Sequence, residues 1–199
     1  MSDSQQDQLL EYAALVEKWN KTFNLVSRQD IRRLLPRHLL DSLAGAPLLQ
    51  GERILDLGSG AGLPGVPLAI AVPAHSFVLL DRSSRRVRFL KQVVRNLSLD
   101  HVEVWEGDFS QMIADGDEYD TITARGVTTA PEVWAMVREH VATKGRILVY
   151  ESTQMTTEND EQAPGPFAIT GMADVKVDRY IYQVPGLEQK HSILIMAHQ

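Results

Sequence analysis

The sequence predicts an α/β protein, a doubly wound and mostly parallel seven-stranded sheet with a C-terminal antiparallel hairpin and an N-terminal helical extension. Three observations predict it. From Glu52 onward, short apolar runs alternate with amphipathic stretches, the pattern of repeated strand and helix units. A glycine-rich loop, Asp56-Leu57-Gly58-Ser59-Gly60-Ala61-Gly62, follows the first of those runs. The last two runs are separated by the turn pair Pro185-Gly186 instead of a helix.

Leu9, Tyr12, Ala13, Val16 and Trp19 recur at helical spacing, so a helix from about Gln5 to Trp19 should lay one face on the body. A second helix is expected nearby, capped by Asp30, packed through Leu34 and Leu35 and bent or ended by Pro36 before His38-Leu39-Leu40-Asp41-Ser42-Leu43. The strands are then Arg53 to Leu57, Ser76 to Leu80, Val102 to Trp105, Tyr119 to Thr123 and Arg146 to Tyr150. Two connecting helices are clear. One presents Val87, Leu90, Val94 and Leu97, and the other, opened by Pro131, presents Val133, Met136, Val137 and Val141. The apolar stretch Leu63 to Val72 is interrupted by Pro64 and Pro67 and is too short to span a bilayer. After Glu151 a polar segment with Pro164, Gly165 and Pro166 reads as a loop, and Val175 to Gln183 with Ser192 to Ala197 form the closing hairpin.

A length of 199 residues with 44% hydrophobic content suits one core. A single domain over residues 1–199 is expected, with 1–50 as the helical extension and 51–199 as the ligand-binding core. Without cysteine there is no disulfide framework and no thiolate zinc site, which suits a reducing, cytoplasmic setting. The polar start, Met1 to Gln8, lacks the features of a signal peptide, and no membrane association is expected. The histidines are scattered without metal-ligand spacing, so no metal is required.

A net charge of -6 argues against gripping nucleic acid, DNA included, over a broad surface. Basic residues nonetheless cluster at Arg28, Arg32, Arg33 and Arg37, and again at Arg82, Arg85, Arg86, Arg88, Lys91 and Arg95. Such runs are either solvated helix faces or a local phosphate-binding patch.

The glycines after the first strand let backbone approach a ligand at the carboxyl end of the sheet, where a doubly wound fold binds nucleosides. Gly60-Ala61-Gly62-Leu63-Pro64-Gly65 also satisfies the dinucleotide pattern. Asp56 discriminates, because an acid there would repel a pyrophosphate but attract the ammonium of a methionine moiety, directly or through water. Asp81 ends the second strand, where a carboxylate takes ribose hydroxyls, and Asp108 follows the third, where an acid accepts from an adenine amino group or caps a helix. The three acids together point to S-adenosyl-L-methionine, with S-adenosyl-L-homocysteine as product, and to a class I methyltransferase. The candidate cofactor residues are Asp56, Gly58, Ser59, Gly60, Gly62, Leu63, Asp81, Arg82, Asp108, Phe109 and Arg125. Trp105 flanks the adenine or is buried in the core.

Trp19-Asn20-Lys21, Asn24-Leu25, Arg37-His38-Leu39-Leu40-Asp41-Ser42, Asp56 through Pro67, Arg85-Arg86-Val87-Arg88-Phe89-Leu90 and Ala124-Arg125 resemble the bacterial small-subunit ribosomal RNA methyltransferase G family (glucose-inhibited division protein B, GidB). The resemblance spans nearly the whole chain. It implies monomeric class I enzymes that methylate N7 of a guanine in 16S ribosomal RNA, naked or in the small ribosomal subunit. The chain departs from the family pattern where Asp108 and Ser110 replace an R-x-E element and Glu151-Ser152 replaces Lys-Gly. Arg125 and Lys190 remain of the family's cationic pocket. Two such exchanges change the local charge by about four units, which opposes RNA unless other residues compensate.

Methyl transfer from a sulfonium needs positioning more than catalytic side chains. The lack of cysteine excludes a thiolate route to pyrimidine C5, and no Asn- or Asp-Pro-Pro-aromatic element follows the fourth strand to hold an exocyclic amine. Thr123-Ala124-Arg125-Gly126 stands there instead. Arg125 is the candidate catalytic residue, able to reach a guanine's Hoogsteen edge or a phosphate, or to form a surface ion pair. His38 and Asp41, three apart, share a helix face toward either the pocket or a structural hydrogen bond. The competing functions are a same-fold methyltransferase acting on a small molecule or another RNA, a non-catalytic nucleoside-binding ribosome-assembly factor, and a dehydrogenase, in which Asp56 would have no role.

Overall fold

The strands are β-branched and aliphatic runs whose alternate side chains enter different cores, so the sheet is covered on both faces. The computed structural model describes residues 1–27, 38–151 and 175–199. Its strands are β1 (Arg53–Leu57), β2 (Ser76–Asp81), β3 (Val102–Glu106), β4 (Tyr119–Arg125), β5 (Val141–Tyr150), β6 (Val175–Gln183) and β7 (Lys190–His198). They form one seven-stranded sheet in the order β3-β2-β1-β4-β5-β7-β6. β1 to β5 are parallel, and β7 lies antiparallel to both β5 and β6. The order reverses between β1 and β4, so a crevice opens at their carboxyl ends.

Among the described residues the α-helices are α1 (Asp3–Phe23), α2 (Asp41–Leu43), α3 (Gly65–Ala71), α4 (Ser84–Asn96), α5 (Phe109–Met112) and α6 (Ala130–Val137), with short 3-10 turns at Ala46–Leu48 and Arg138–His140. Ile54, Phe77 and Leu79 face a core built with α1, α3 and α4, while Leu55, Leu57 and Leu80 face the core of α5 and α6. α1 begins at a capping box, Ser2 with Gln5, and buries Leu9, Tyr12 and Val16. It also finishes its neighbours. The Gln5 side-chain amide donates to the carbonyls of Ile70 and Ala71 at the end of α3, and that of Gln8 to Leu97 at the end of α4. The extension is therefore tied to the helices behind the glycine loop, through the face expected from its periodicity.

Several boundaries differ from expectation. α1 is longer at both ends than Gln5 to Trp19. Pro64 and Pro67 start α3 instead of interrupting it, because a proline in the first turn lacks an N–H that has no intrahelical partner anyway. Val141 begins β5 and is not part of the preceding helix, and Met136 is exposed while Trp134 is buried. The Asp30–Pro36 helix and the loop around Pro164 lie outside the described residues. Among those that are described, no helix is long and apolar enough to cross a membrane.

Candidate functional site

β1 delivers the chain into a loop held by a set of backbone hydrogen bonds. The Ser59 amide donates to Leu80 O, and the Gly62 and Leu63 amides donate to Ser59 O. The Ser59 hydroxyl donates to Asp56 O, and from α1 the buried Tyr12 hydroxyl donates to Ala61 O at 2.7 Å. Gly58 and Gly60 sit at φ of 66° and 61°, a region that glycine enters without strain.

Asp56 lies beneath this loop with no exposed surface. Its Oδ1 accepts from the Thr123 hydroxyl at 2.7 Å and its Oδ2 from the Gly65 amide at 3.2 Å. Burial pushes its carboxyl up to about 6, against the opposing pull of the Thr123, Ser59 and Gly65 hydrogen bonds. The close approach explains Gly65: a Cβ there would stand 2.5 Å from Asp56 Oδ2 and 2.4 Å from Leu79 Cδ2. Gly65→Ala is expected to destabilise the fold by about 1–3 kcal/mol, measured by urea unfolding, because backbone must shift to admit the methyl group.

In the unfolded chain the Asp56 carboxyl titrates near 3.8, so folding favours its protonated form. That contribution is fully present below pH 3.8 and is lost as pH rises through about 6. Asp56→Asn, whose amide can donate to the Thr123 oxygen and accept from Gly65, should therefore unfold at higher urea than the wild type at pH 8. The gain, at most about 3 kcal/mol, should vanish near pH 4.

Above the loop, the carboxyl ends of β1 to β4 enclose a cavity of about 560 Å³, within the range of small-molecule sites. Gly58, Asp81, Arg82, Asp108 and Phe109 line it, all expected from the sequence. Asp81 is its most constrained acid: Oδ2 accepts from the Gly60 amide at 2.8 Å, Oδ1 from the Ser83 amide at 2.8 Å, and Arg86 Nη1 lies 3.4 Å from Oδ2. Asp108 occupies the position before α5 yet makes no side-chain capping hydrogen bond, and its exposed carboxylate belongs to the cavity wall. The cap alternative for this residue is thereby set aside. Ser59, Gly62 and Leu63 do not line the cavity; they form the support of the loop, with Leu63 in the core. Gly60 contributes its amide to Asp81. Trp105 lines a separate cavity with Arg53, Phe77 and Tyr119, residues at the amino ends of the strands, and so stands away from this site. Sequence reading missed Arg86, Val127, Thr128, Glu132 and Met136 in the cavity wall. No local pattern marked Met136, whose spacing groups it with the core residues Val133 and Val137.

Arg125, at the end of β4, faces the extension. Its Nη2 lies 2.9 Å from Asp41 Oδ2 and 3.1 Å from His38 Nδ1, and Nη1 donates to the Ser42 hydroxyl at 3.2 Å. Asp41 in turn accepts from the Tyr182 hydroxyl at 2.7 Å, with His191 Nδ1 2.9 Å away. His38 and Asp41 do share one face, and its target is the Arg125 guanidinium.

A family model for rRNA small subunit methyltransferase G (GidB) matches residues 5–179. The chain belongs to this family. A ribosomal RNA small subunit methyltransferase G from Shigella flexneri is 33% identical over 200 residues, covering 100% of this chain and 92% of that protein. One from Escherichia coli O1:K1 is 32% identical over the same coverage. Among solved structures, a methyltransferase from Geobacter sulfurreducens aligns at TM-score 0.61 and 16% identity over 100% of this chain and 98% of its own. A mutant MtNAS in complex with S-adenosylmethionine aligns at TM-score 0.58 and 19% identity over 98% and 72%. These likenesses show the class I, Rossmann-like fold. As a member of the methyltransferase G family, the chain is an S-adenosylmethionine-dependent methyltransferase.

Within this methyltransferase G chain, Glu151 is neutralised internally. Arg179 Nε, from β6, lies 3.2 Å from its Oε2, and the Ser192 hydroxyl donates to the same oxygen. The anion thus carries its own counter-charge. Lys190, the other basic residue expected at the pocket, opens β7.

Proposed function

We propose that the protein, acting as a cytoplasmic single-domain monomer, methylates N7 of a guanine in 16S ribosomal RNA of the small ribosomal subunit. The observation that carries this reading is the cavity at the switch in strand order, with an acid from β2, an acid from β3 and the glycine turn of β1 on its walls, in a chain of this family.

The wall residues fit the methyl donor. Asp81 is held by two backbone amides with lone pairs to spare for ribose hydroxyls, Asp108 is uncommitted and suits an adenine amino group, and Phe109 and Met136 supply apolar surface. Asp56 acts from below, holding the loop through Gly65 and setting a negative field under it. Bound S-adenosylmethionine would supply an electrophilic methyl group open to in-line attack. Guanine N7 presents its lone pair without losing a proton, so the protein needs no general base and its task is orientation and exclusion of water. Arg125 is held rigidly at the carboxyl end of β4, with its side chain 20% exposed, beside the Gly126–Thr128 stretch that lines the cavity. A guanidinium so fixed sets a permanent positive charge beside the cavity, where it would draw a phosphate or the electron-rich Hoogsteen edge of a guanine.

The test uses methyl-labelled S-adenosylmethionine with undermethylated small ribosomal subunits and, separately, with their naked RNA, followed by digestion to nucleosides. Label eluting as 7-methylguanosine is the expected result. No label in any RNA would overturn the reading, leaving a small-molecule methyltransferase if other acceptors take it, and a binding module if none does.

A further inference from the structure

Between residues 82 and 99 the chain carries six cations and no acid, Arg82, Arg85, Arg86, Arg88, Lys91 and Arg95, and all six are exposed. α4 buries Val87, Phe89, Leu90 and Val93 in the core, so Arg88, Lys91 and Arg95, at seven-residue helical spacing, form a stripe on the opposite side. At a rise of about 1.5 Å per residue this stripe is about 10 Å long. Its charges are left over from folding. Arg86 pairs with Asp81, Arg85 lies over the Phe23 ring, and Arg95 donates to Gln92. Arg88 and Lys91 have no ion-pair partner among the described residues. Glu106, on the adjoining strand, takes the Ser84 hydroxyl instead of a cation.

Two further facts select the partner. The patch is continuous with the cavity, since Arg82 and Arg86 line that cavity while the stripe runs away from it. A membrane surface would require apolar side chains beside the charges, and none of the exposed large hydrophobic residues lies on α4. We propose that the exposed face of α4 is a docking track for the phosphate backbone of the substrate RNA, leading from the methyl-donor cavity along Arg88, Lys91 and Arg95. This rests on the RNA substrate proposed above. It also shows how a chain of net charge -6 can hold RNA: locally, over one helix face.

The experiment measures binding of the full chain, with S-adenosylhomocysteine present, to naked 16S RNA and to small subunits across about 50–200 mM salt. R88Q/K91Q/R95Q is compared with the wild type and with R53Q/K144Q/K176Q, an equal charge change on residues of β1, β5 and β6 that do not line the cavity. Each lost phosphate contact flattens the slope of log K against log salt by about 0.7–0.9, so the α4 variant should lose about 2 in slope and roughly tenfold in affinity near 100 mM salt. Lys91→Gln alone should lose about 0.7–0.9. S-adenosylhomocysteine binding, read by calorimetry, should be unchanged, which also certifies the fold. Equal slopes for wild type and the α4 variant, an equal loss in R53Q/K144Q/K176Q, or preference for phosphatidylserine vesicles over RNA would overturn the proposal. If the wild type labels RNA while the α4 variant is indifferent, only the track fails; if the wild type labels none, the function proposed above fails first.

Discussion

Replacing Arg125 with methionine is expected to lower the free energy of unfolding by about 3 kcal/mol and to reduce kcat/KM for RNA methylation roughly 100-fold, while S-adenosylhomocysteine affinity changes less than about threefold. The stability effect follows from the partner. Asp41 is 6% exposed, and losing the guanidinium 2.9 Å away leaves its charge, among the described residues, to Tyr182 and His191. That residual support places the cost at the low end for breaking a buried pair. The activity effect follows from the proposed orienting role, and the spared affinity follows because Arg125 does not line the described cavity. Arg125→Lys restores charge but not the fork that meets Asp41, Ser42 and His38 together, so it should recover part of the stability and little of the rate. Urea unfolding and steady-state kinetics check the two effects separately. An Asp41→Asn/Arg125→Met double-mutant cycle should give a coupling of about 1–3 kcal/mol.

The second large effect is expected at Asp81. Its carboxylate joins the glycine loop, through Gly60, to the start of the segment after β2, through Ser83, and it faces the cavity. Asp81→Ala removes the ribose acceptor proposed here and leaves two amides without their acceptor, so S-adenosylhomocysteine affinity should fall by about 100- to 1000-fold, or roughly 3–4 kcal/mol. Calorimetry measures it directly. Asp108→Ala should cost far less, roughly tenfold, because that carboxylate is solvent-exposed and replaces only one contact with the proposed adenine.

The sheet was legible because its signals are local. β1, β2, β3 and β4 were located from runs of about four or five residues, since aliphatic alternation and the turns that bound it lie within a few positions of each other. β5 was shortened because Ala142-Thr143-Lys144-Gly145 lacks that alternation, and pairing of Tyr119 with Val141 extends the strand regardless. The same locality covers the glycine loop and the acids that follow β2 and β3. What the sequence could not reveal is which way a known residue points. Asp56 was expected to attract the donor's ammonium, directly or through water; it lies buried under the loop, bonded to Thr123 and Gly65, and only the sheet register sets Thr123 beside it. Arg125 and Asp41 were singled out separately, but their ion pair joins segments brought together only by folding, as does the pairing of Glu151 with Arg179. The second pair bears on one of the two charge reversals that the resemblance points to: the anion at Glu151 is met by a cation that no local motif connects to it, while Asp108 stays exposed on the cavity wall.

The cavity after β1, β2 and β3 is the proposed seat of the methyl donor, and a crystal structure of the complex with S-adenosylhomocysteine is its test. Ribose hydroxyls are expected within hydrogen-bond distance of the Asp81 carboxylate, the adenine beside Asp108 and Phe109, and the homocysteine over the Gly58–Gly62 turn. A ligand bound elsewhere, or lying in this cavity with Asp81 free of its ribose, would contradict it.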